Sequence, residues 1–275
     1  MLEASMNPNP SKTTFGLLLL AWALLSGFCH PDGVAWAGLT DEIQVYDAEI
    51  NEVGEYSVEL HNNFTAIGHH QPDFPGGLVP NHTLDGVPEW AVGVTPWFEA
   101  GLYFPVYSVT SAGHPLFDST KLRALFVSPH AADRSFFYGV NFELSYNSPH
   151  WDPSRWAGEV RPIIGGRIGP WDFIFNPIFD TEFHGGLSSL DFVPCERIAY
   201  NLSKIWAVAL EHYEDYGRLN DLASLDRQDQ TLFAVVDYKG EVNQVEFGVG
   251  HSFTGGGESL VFKLMITHNF NSGHQ

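Results

Sequence analysis

Apolar and polar residues alternate one by one along most of this chain. In Ser135–Asn147, Phe136, Tyr138, Val140, Phe142, Leu144 and Tyr146 fall on one face, and Phe137, Gly139, Asn141, Glu143, Ser145 and Asn147 on the other, mostly polar one. Successive strand residues point to opposite faces, so this stretch predicts a ribbon with one apolar and one polar side. The same period predicts strands over Glu55–Ala66, Trp97–Val109, Lys121–Ser128, Arg155–Arg167, Trp171–Asp180, Ile205–Tyr213, Thr231–Lys239, 244–250 and Ser259–Phe270. Ile43–Ile50, Glu89–Thr95 and Leu190–Asn201 read as strands of less regular pattern, with Glu196 on the apolar side of the last. Together these make thirteen candidates, or an even twelve if Ile43–Ile50 or Glu89–Thr95 is not a strand. No segment keeps a helical period.

Alternation alone suits either a soluble sandwich with its apolar faces inward or a membrane barrel with them outward. The connections tilt the balance. Some are tight, at Pro96, Gly169-Pro170 and Leu202-Ser203, whereas His69–Pro88 and Glu214–Asp229 are long. Short turns at one end and long loops at the other are the outer-membrane pattern. Aromatic residues sit near strand ends (Trp90, Trp97, Trp151, Trp156, Trp171, Trp206, Tyr213, Phe270), where interfacial girdles would place them. The expected fold is therefore all-β, a transmembrane antiparallel up-and-down β-barrel of about twelve strands. The alternatives are a secreted soluble β-sandwich that binds or acts on carbohydrate, and a structural barrel without transport.

The N-terminus changes the compartment. Phe15–Phe28 is an apolar run shorter than the roughly 20 residues a spanning helix needs, and Ala35-Trp36-Ala37 follows it. This predicts a signal peptide over 1–37 and a barrel domain over 38–275. The formal net charge of −20 argues against nucleic acid as a partner. Cleavage would remove Cys29, leaving Cys195 and no intrachain disulfide.

In a barrel the polar faces turn inward. The lumen charges would then be Glu59, Glu99, Arg123, Glu143, Glu159, Arg161, Arg167, Asp172, Glu211, Glu246 and Lys263. Buried charges need partners, so Arg123 beside Glu143, and Glu159 and Arg161 beside Asp172, predict ion pairs that either fill a small barrel or line a narrow polar pore. His61, His69, His70 and His82 offer imidazoles, but their spacing fits no compact metal site, and no metal is expected. No cofactor motif appears. His251-Ser252 and Glu211-His212 are the nearest approach to a hydrolytic site, yet there is no G-x-S-x-G elbow, and no catalytic residue or enzyme activity is expected.

The alternating strand that closes on Phe270 resembles the C-terminal signal strand of bacterial outer-membrane β-barrel proteins, although His268 and the trailing Asn271–Gln275 depart from that pattern. The chain is also loosely similar, in strand texture, to the transporter-like family of the MetA pathway of phenol degradation. The resemblance implies the outer membrane of a Gram-negative bacterium, membrane lipid and the barrel-assembly machinery as partners, and a small hydrophobic or aromatic solute as cargo.

Overall fold

A computed structural model of the protein describes residues 40–183 and 186–270. The signal peptide expected over 1–37 lies outside the described residues. The alternating segments form β1 (Tyr56–Ile67), β2 (Leu84–Thr95), β3 (Phe98–Val109), β4 (Pro115–Val127), β5 (Phe136–Asn147), β6 (Trp156–Ile168), β7 (Trp171–Asn176), β8 (Phe179–Thr181), β9 (Leu190–Phe192), β10 (Cys195–Asn201), β11 (Trp206–Asp215), β12 (Gly217–Arg218), β13 (Asp221–Leu222), β14 (Asp229–Lys239), β15 (Asn243–Ser252) and β16 (Leu260–Asn269). Every pairing between these strands is antiparallel. β1 to β7 pair in sequence, β7 continues to β10, and β11, β14, β15 and β16 bring the sheet back to β1. That ring has twelve strands. β8, β9, β12 and β13 extend the wall above β6 as a small flap.

Closure leaves no free strand edge around the ring, the condition for a sheet to lie in hydrocarbon. The polarity of the two surfaces is inverted relative to a water-soluble protein. Leu102, Leu122 and Leu144 sit side by side on β3, β4 and β5 and are 40%, 59% and 40% exposed. Lys263 and Glu211 are 0% exposed. Soluble domains almost never bury such charges while presenting rows of leucine to water. A soluble sandwich is thereby excluded.

β1 begins and β16 ends at the end that carries the short turns, 96–97, 169–170, 202–205 and 240–242. The opposite end carries the flap, the longer connections 68–83, 148–155 and 253–259 and the shorter 110–114, while 128–135 is the one connection of comparable length at the turn end. By the usual asymmetry the short turns face the periplasm. Trp97, Trp156, Trp171, Trp206 and Phe270 are exposed on the outer wall near strand ends. Trp151 and Tyr213, assigned from sequence to the same girdle, instead turn inward. Trp151 packs on Val87, Tyr103 and Val106, and Tyr213 stands edge-on to Phe233 at 5.5 Å.

Ile43–Ile50 is not a strand. It belongs to an extended segment, 40–55, that runs through the barrel interior from the long-loop end to the start of β1. Asn63 Nδ2 donates to the Thr40 carbonyl at 3.0 Å near the loops, and the Asn51 amide donates to Glu99 Oε2 at 2.6 Å near the turns. Ala48, with φ of 65°, breaks any strand geometry in between. Other boundaries also differ from expectation: Trp171–Asp180 divides into β7 and β8, Leu190–Asn201 into β9 and β10, and β4 begins at Pro115 rather than Lys121. The region read as the loop His69–Pro88 already belongs to β2 from Leu84, and the loop Glu214–Asp229 contains the β12–β13 hairpin.

Candidate functional site

The site is the barrel interior, built from alternate residues of each strand and from the segment that crosses it. On the β1–β6 side, Arg123 Nη2 lies 2.8 Å from Glu89 Oε1 and also bonds Glu99. Lys121 Nζ reaches Asp41 at 2.7 Å and Glu143 at 3.8 Å. Arg161 grips Glu159 through two nitrogens at 2.7 and 2.9 Å, and its third reaches Glu42 at 3.3 Å and the Gln44 carbonyl at 3.1 Å. Across the lumen, Arg197 bonds Glu211, Asp237 and, at 3.0 Å, Glu246. Lys263 bonds Glu211 and, at 2.5 Å, Glu246, and donates to the Ile43 carbonyl at 3.2 Å. Arg167 faces Glu49 at 3.5 Å and Asp172 at 4.0 Å, and Glu59 accepts from Thr267.

Each charge proposed from sequence thus stands on the interior side of its strand, but several pairings differ from those the register suggests. Arg123 is directly opposite Glu143, yet its guanidinium reaches across β3 to Glu99 and Glu89, while Lys121 takes Glu143. Arg161 turns to Glu159 and Glu42 rather than to Asp172. Long side chains choose partners along the lumen as readily as across a strand pair. Glu89, Arg197 and Asp237 were missed; Glu89 and Arg197 lie in the less regular strands, whereas the alternation of Thr231–Lys239 already marks Asp237 as inward. Asp41 and Glu42 were missed because nothing in a sequence tells a threaded segment from a tail.

The segment is held by apolar as well as polar contacts. Val45, Tyr46 and Ala48 pack on an inward apolar patch formed by Leu125, Phe137, Ile163 and Ile174. The Tyr46 ring lies under the Arg161 guanidinium at 4.4 Å, and its hydroxyl meets that of Tyr103 at 2.7 Å. Asn176 clamps the Tyr46 backbone from both sides, accepting from its amide at 2.7 Å and donating to its carbonyl at 3.1 Å.

The crossing divides the free interior. Towards the turns lies a cavity of about 840 Å³ whose walls carry Asp47, Glu49, Glu52, Glu55, Glu59, Glu89, Glu99, Asp172, Asp237, Glu241 and Glu246 against Arg123, Arg167, Arg197 and Lys239. Towards the loops, a cavity of about 140 Å³ is bordered by Glu42, Asp85, Asp229 and Glu258 and by no lysine or arginine. Both chambers are acidic. Outside the membrane-spanning strands, the loop 68–83 is tied to 253–259: the His69 amide donates to Glu258 at 2.7 Å, and the His69 ring lies 3.5 Å from Glu258 and 3.9 Å from Asp73. Burial raises the Asp73 and Glu258 carboxyls above the ordinary carboxylate range.

The hydrolytic pairs do not assemble. His251 is exposed and bonds the Ser259 carbonyl, while Ser252 is buried on the opposite face beside Asp229. Glu211 points inward, and His212 turns to Glu196 at 3.0 Å.

No family model matches the sequence, and no curated protein matches it. Solved structures do. An outer-membrane channel from Pseudomonas putida F1 is 13% identical with a TM-score of 0.52, over 83% of this chain and 100% of that chain. The NanC porin is 7% identical with a TM-score of 0.52, over 77% and 98% of the two chains. The KdgM porin is 12% identical with a TM-score of 0.50, over 78% and 99%. At such identities the likeness is one of fold, and the fold is that of Gram-negative outer-membrane channels.

Proposed function

We propose that this protein is a narrow channel of the Gram-negative outer membrane for small solutes, with a charged, ion-paired lumen that its own segment 40–55 constricts. One observation carries the reading: the barrel is apolar outside and charged inside, with an acidic chamber on each side of the constriction. An apolar exterior belongs in lipid, and the resemblance of Ser259–Phe270 to a C-terminal signal strand supports the barrel-assembly machinery as the partner for insertion. A lumen with that balance of charge repels anions and admits neutral or cationic solutes. Small hydrophobic or aromatic compounds, the cargo implied by the resemblance to the phenol-degradation transporter-like family, fit that selection when they carry no negative charge.

The test is a planar bilayer with purified protein and a salt gradient. The proposal expects discrete conductance steps and a reversal potential of the sign set by cation preference. Either no conductance above that of empty bilayer or a preference for anions would reject it. The acidic lining and the fixed pairs at its centre favour this reading over a barrel that serves only as structure.

A further inference from the structure

We infer that Glu59, His61 and Glu89 form a binding site for a divalent transition-metal ion in the wall of the larger chamber. Glu59 and His61 are two residues apart on β1 and so share its inward face, and Glu89 is the residue directly opposite Glu59 on β2. Two carboxylates facing each other across a strand pair repel unless a positive charge lies between them. Arg123 does not fill that role for both, because it bonds the far oxygen of Glu89, Oε1, at 2.8 Å and shares itself with Glu99. The far oxygen of Glu59, Oε2, is held by Thr267. The near oxygens, Glu59 Oε1 and Glu89 Oε2, both turn to His61 Nε2, at 3.3 and 3.5 Å.

Both contacts are ion-pair distances for a protonated imidazole, whereas Nδ1 has no hydrogen-bond partner although the residue is 1% exposed. An imidazole buried this deeply normally has its nitrogens satisfied. The two separations from Nε2 match edges of a coordination tetrahedron. Ligand atoms about 2.0–2.2 Å from a common ion, at the tetrahedral angle, stand about 3.3–3.5 Å apart. The three atoms lie within 4.8 Å of one another. Two carboxylates neutralise a dication, and imidazole with carboxylate suits zinc and its neighbours better than calcium, which takes six to eight oxygens.

Glu59 and Glu89 also line the cavity of about 840 Å³, which supplies an entry path and water for a fourth position. Thr267 and Arg123 hold the carboxylates from behind, as outer partners do in metal sites. Gln44 of the crossing segment donates to Glu59 Oε1 at 3.0 Å, so an ion here would sit against the constriction itself.

The test is zinc titration by calorimetry on the full-length, tag-free barrel in detergent, with calcium as the control ion. It does not depend on the protein conducting. One zinc per barrel is expected, with no calcium heat. The affinity should fall at least about tenfold in His61→Asn and in Glu89→Gln, with folding of each variant read from its gel mobility before and after boiling. Absence of stoichiometric zinc binding by the parent protein would overturn the assignment. So would parental affinity in either folded variant.

Discussion

Deleting residues 40–50 removes the constriction while keeping Asn51 on Glu99 and the bridge between Val53 and Gly93 that leads into β1. Twelve strands about 4.8 Å apart and tilted by about 40° close on a circumference of about 75 Å, a backbone radius of about 12 Å. Side chains reaching inward by half the roughly 10 Å spacing of packed sheets leave a bore about 7 Å in radius, about 150 Å² in section. One extended chain, about 5 by 10 Å, fills about a third of it. A uniformly thinned bore would therefore gain about half again in section when the chain is removed. The segment does more than thin the bore, because it separates the chambers of about 840 and 140 Å³, and so the gain at the narrowest point is larger. Single-channel conductance in a planar bilayer should rise at least about one-and-a-half-fold by this geometry. The barrel should survive, because Lys121, Arg161 and Lys263 exchange their contacts with Asp41, Glu42 and the Ile43 carbonyl for water that enters the widened bore. A deletion protein that keeps its heat-modifiable mobility yet conducts as the parent does would refute the assignment of 40–55 as the constriction.

Three further outcomes follow from the same contacts. Lys263→Met strands Glu211 and Glu246 with Arg197 as their shared cation, and breaking a buried pair costs about 3–5 kcal/mol; the urea midpoint in lipid vesicles should fall accordingly, and an unchanged midpoint would contradict the network. A Cβ on Gly93 would stand 2.2 Å from the Glu52 carbonyl oxygen and 2.3 Å from that of Asn51, so Gly93→Val should displace the segment's exit and raise conductance, whereas parental conductance would show that the chain does not depend on this close approach. Asp73 and Glu258 have carboxyls raised by burial where loop 68–83 meets 253–259. An acid with a raised value holds its proton more tightly in the docked loop than in an undocked one, so docking strengthens as pH falls through that value and weakens above it. Limited proteolysis within 68–83 should be faster at about pH 8 than at about pH 5, and the reverse order would count against this tether.

The strand count and the two faces of each strand were legible because alternation is a local property. In β5, Phe136, Tyr138, Phe142, Leu144 and Tyr146 are exposed, whereas Asn141, Glu143, Ser145 and Asn147 are buried. Local rules misplaced the start of β2, since Gly86 and Pro88 read as loop residues. The register of β2 against β3 slips between Gly86 and Glu89, and a proline without an amide proton is tolerated at such an irregularity. Ile43–Ile50 alternates like a strand without pairing as one. Val45 and Tyr46 answer to the apolar patch of Leu125, Phe137 and Ile163, which only the closed barrel brings together. Partner choice among the charges was equally non-local, since the Arg123 guanidinium passes over β3 to reach Glu89. His61 was grouped with His69, His70 and His82 by proximity in sequence, but strand geometry sets it beside Glu59 and Glu89 instead.

That hydrocarbon covers the outer wall is tested most directly at Leu122, which lies between Leu102 and Leu144 and is 59% exposed. The folding free energy of Leu122→Arg should be measured by reversible unfolding in phosphatidylcholine vesicles. A guanidinium at that lipid-facing position should cost about 2–4 kcal/mol. A change within about 0.5 kcal/mol, the usual range for a substitution on a water-exposed surface, would mean that water and not lipid surrounds the barrel.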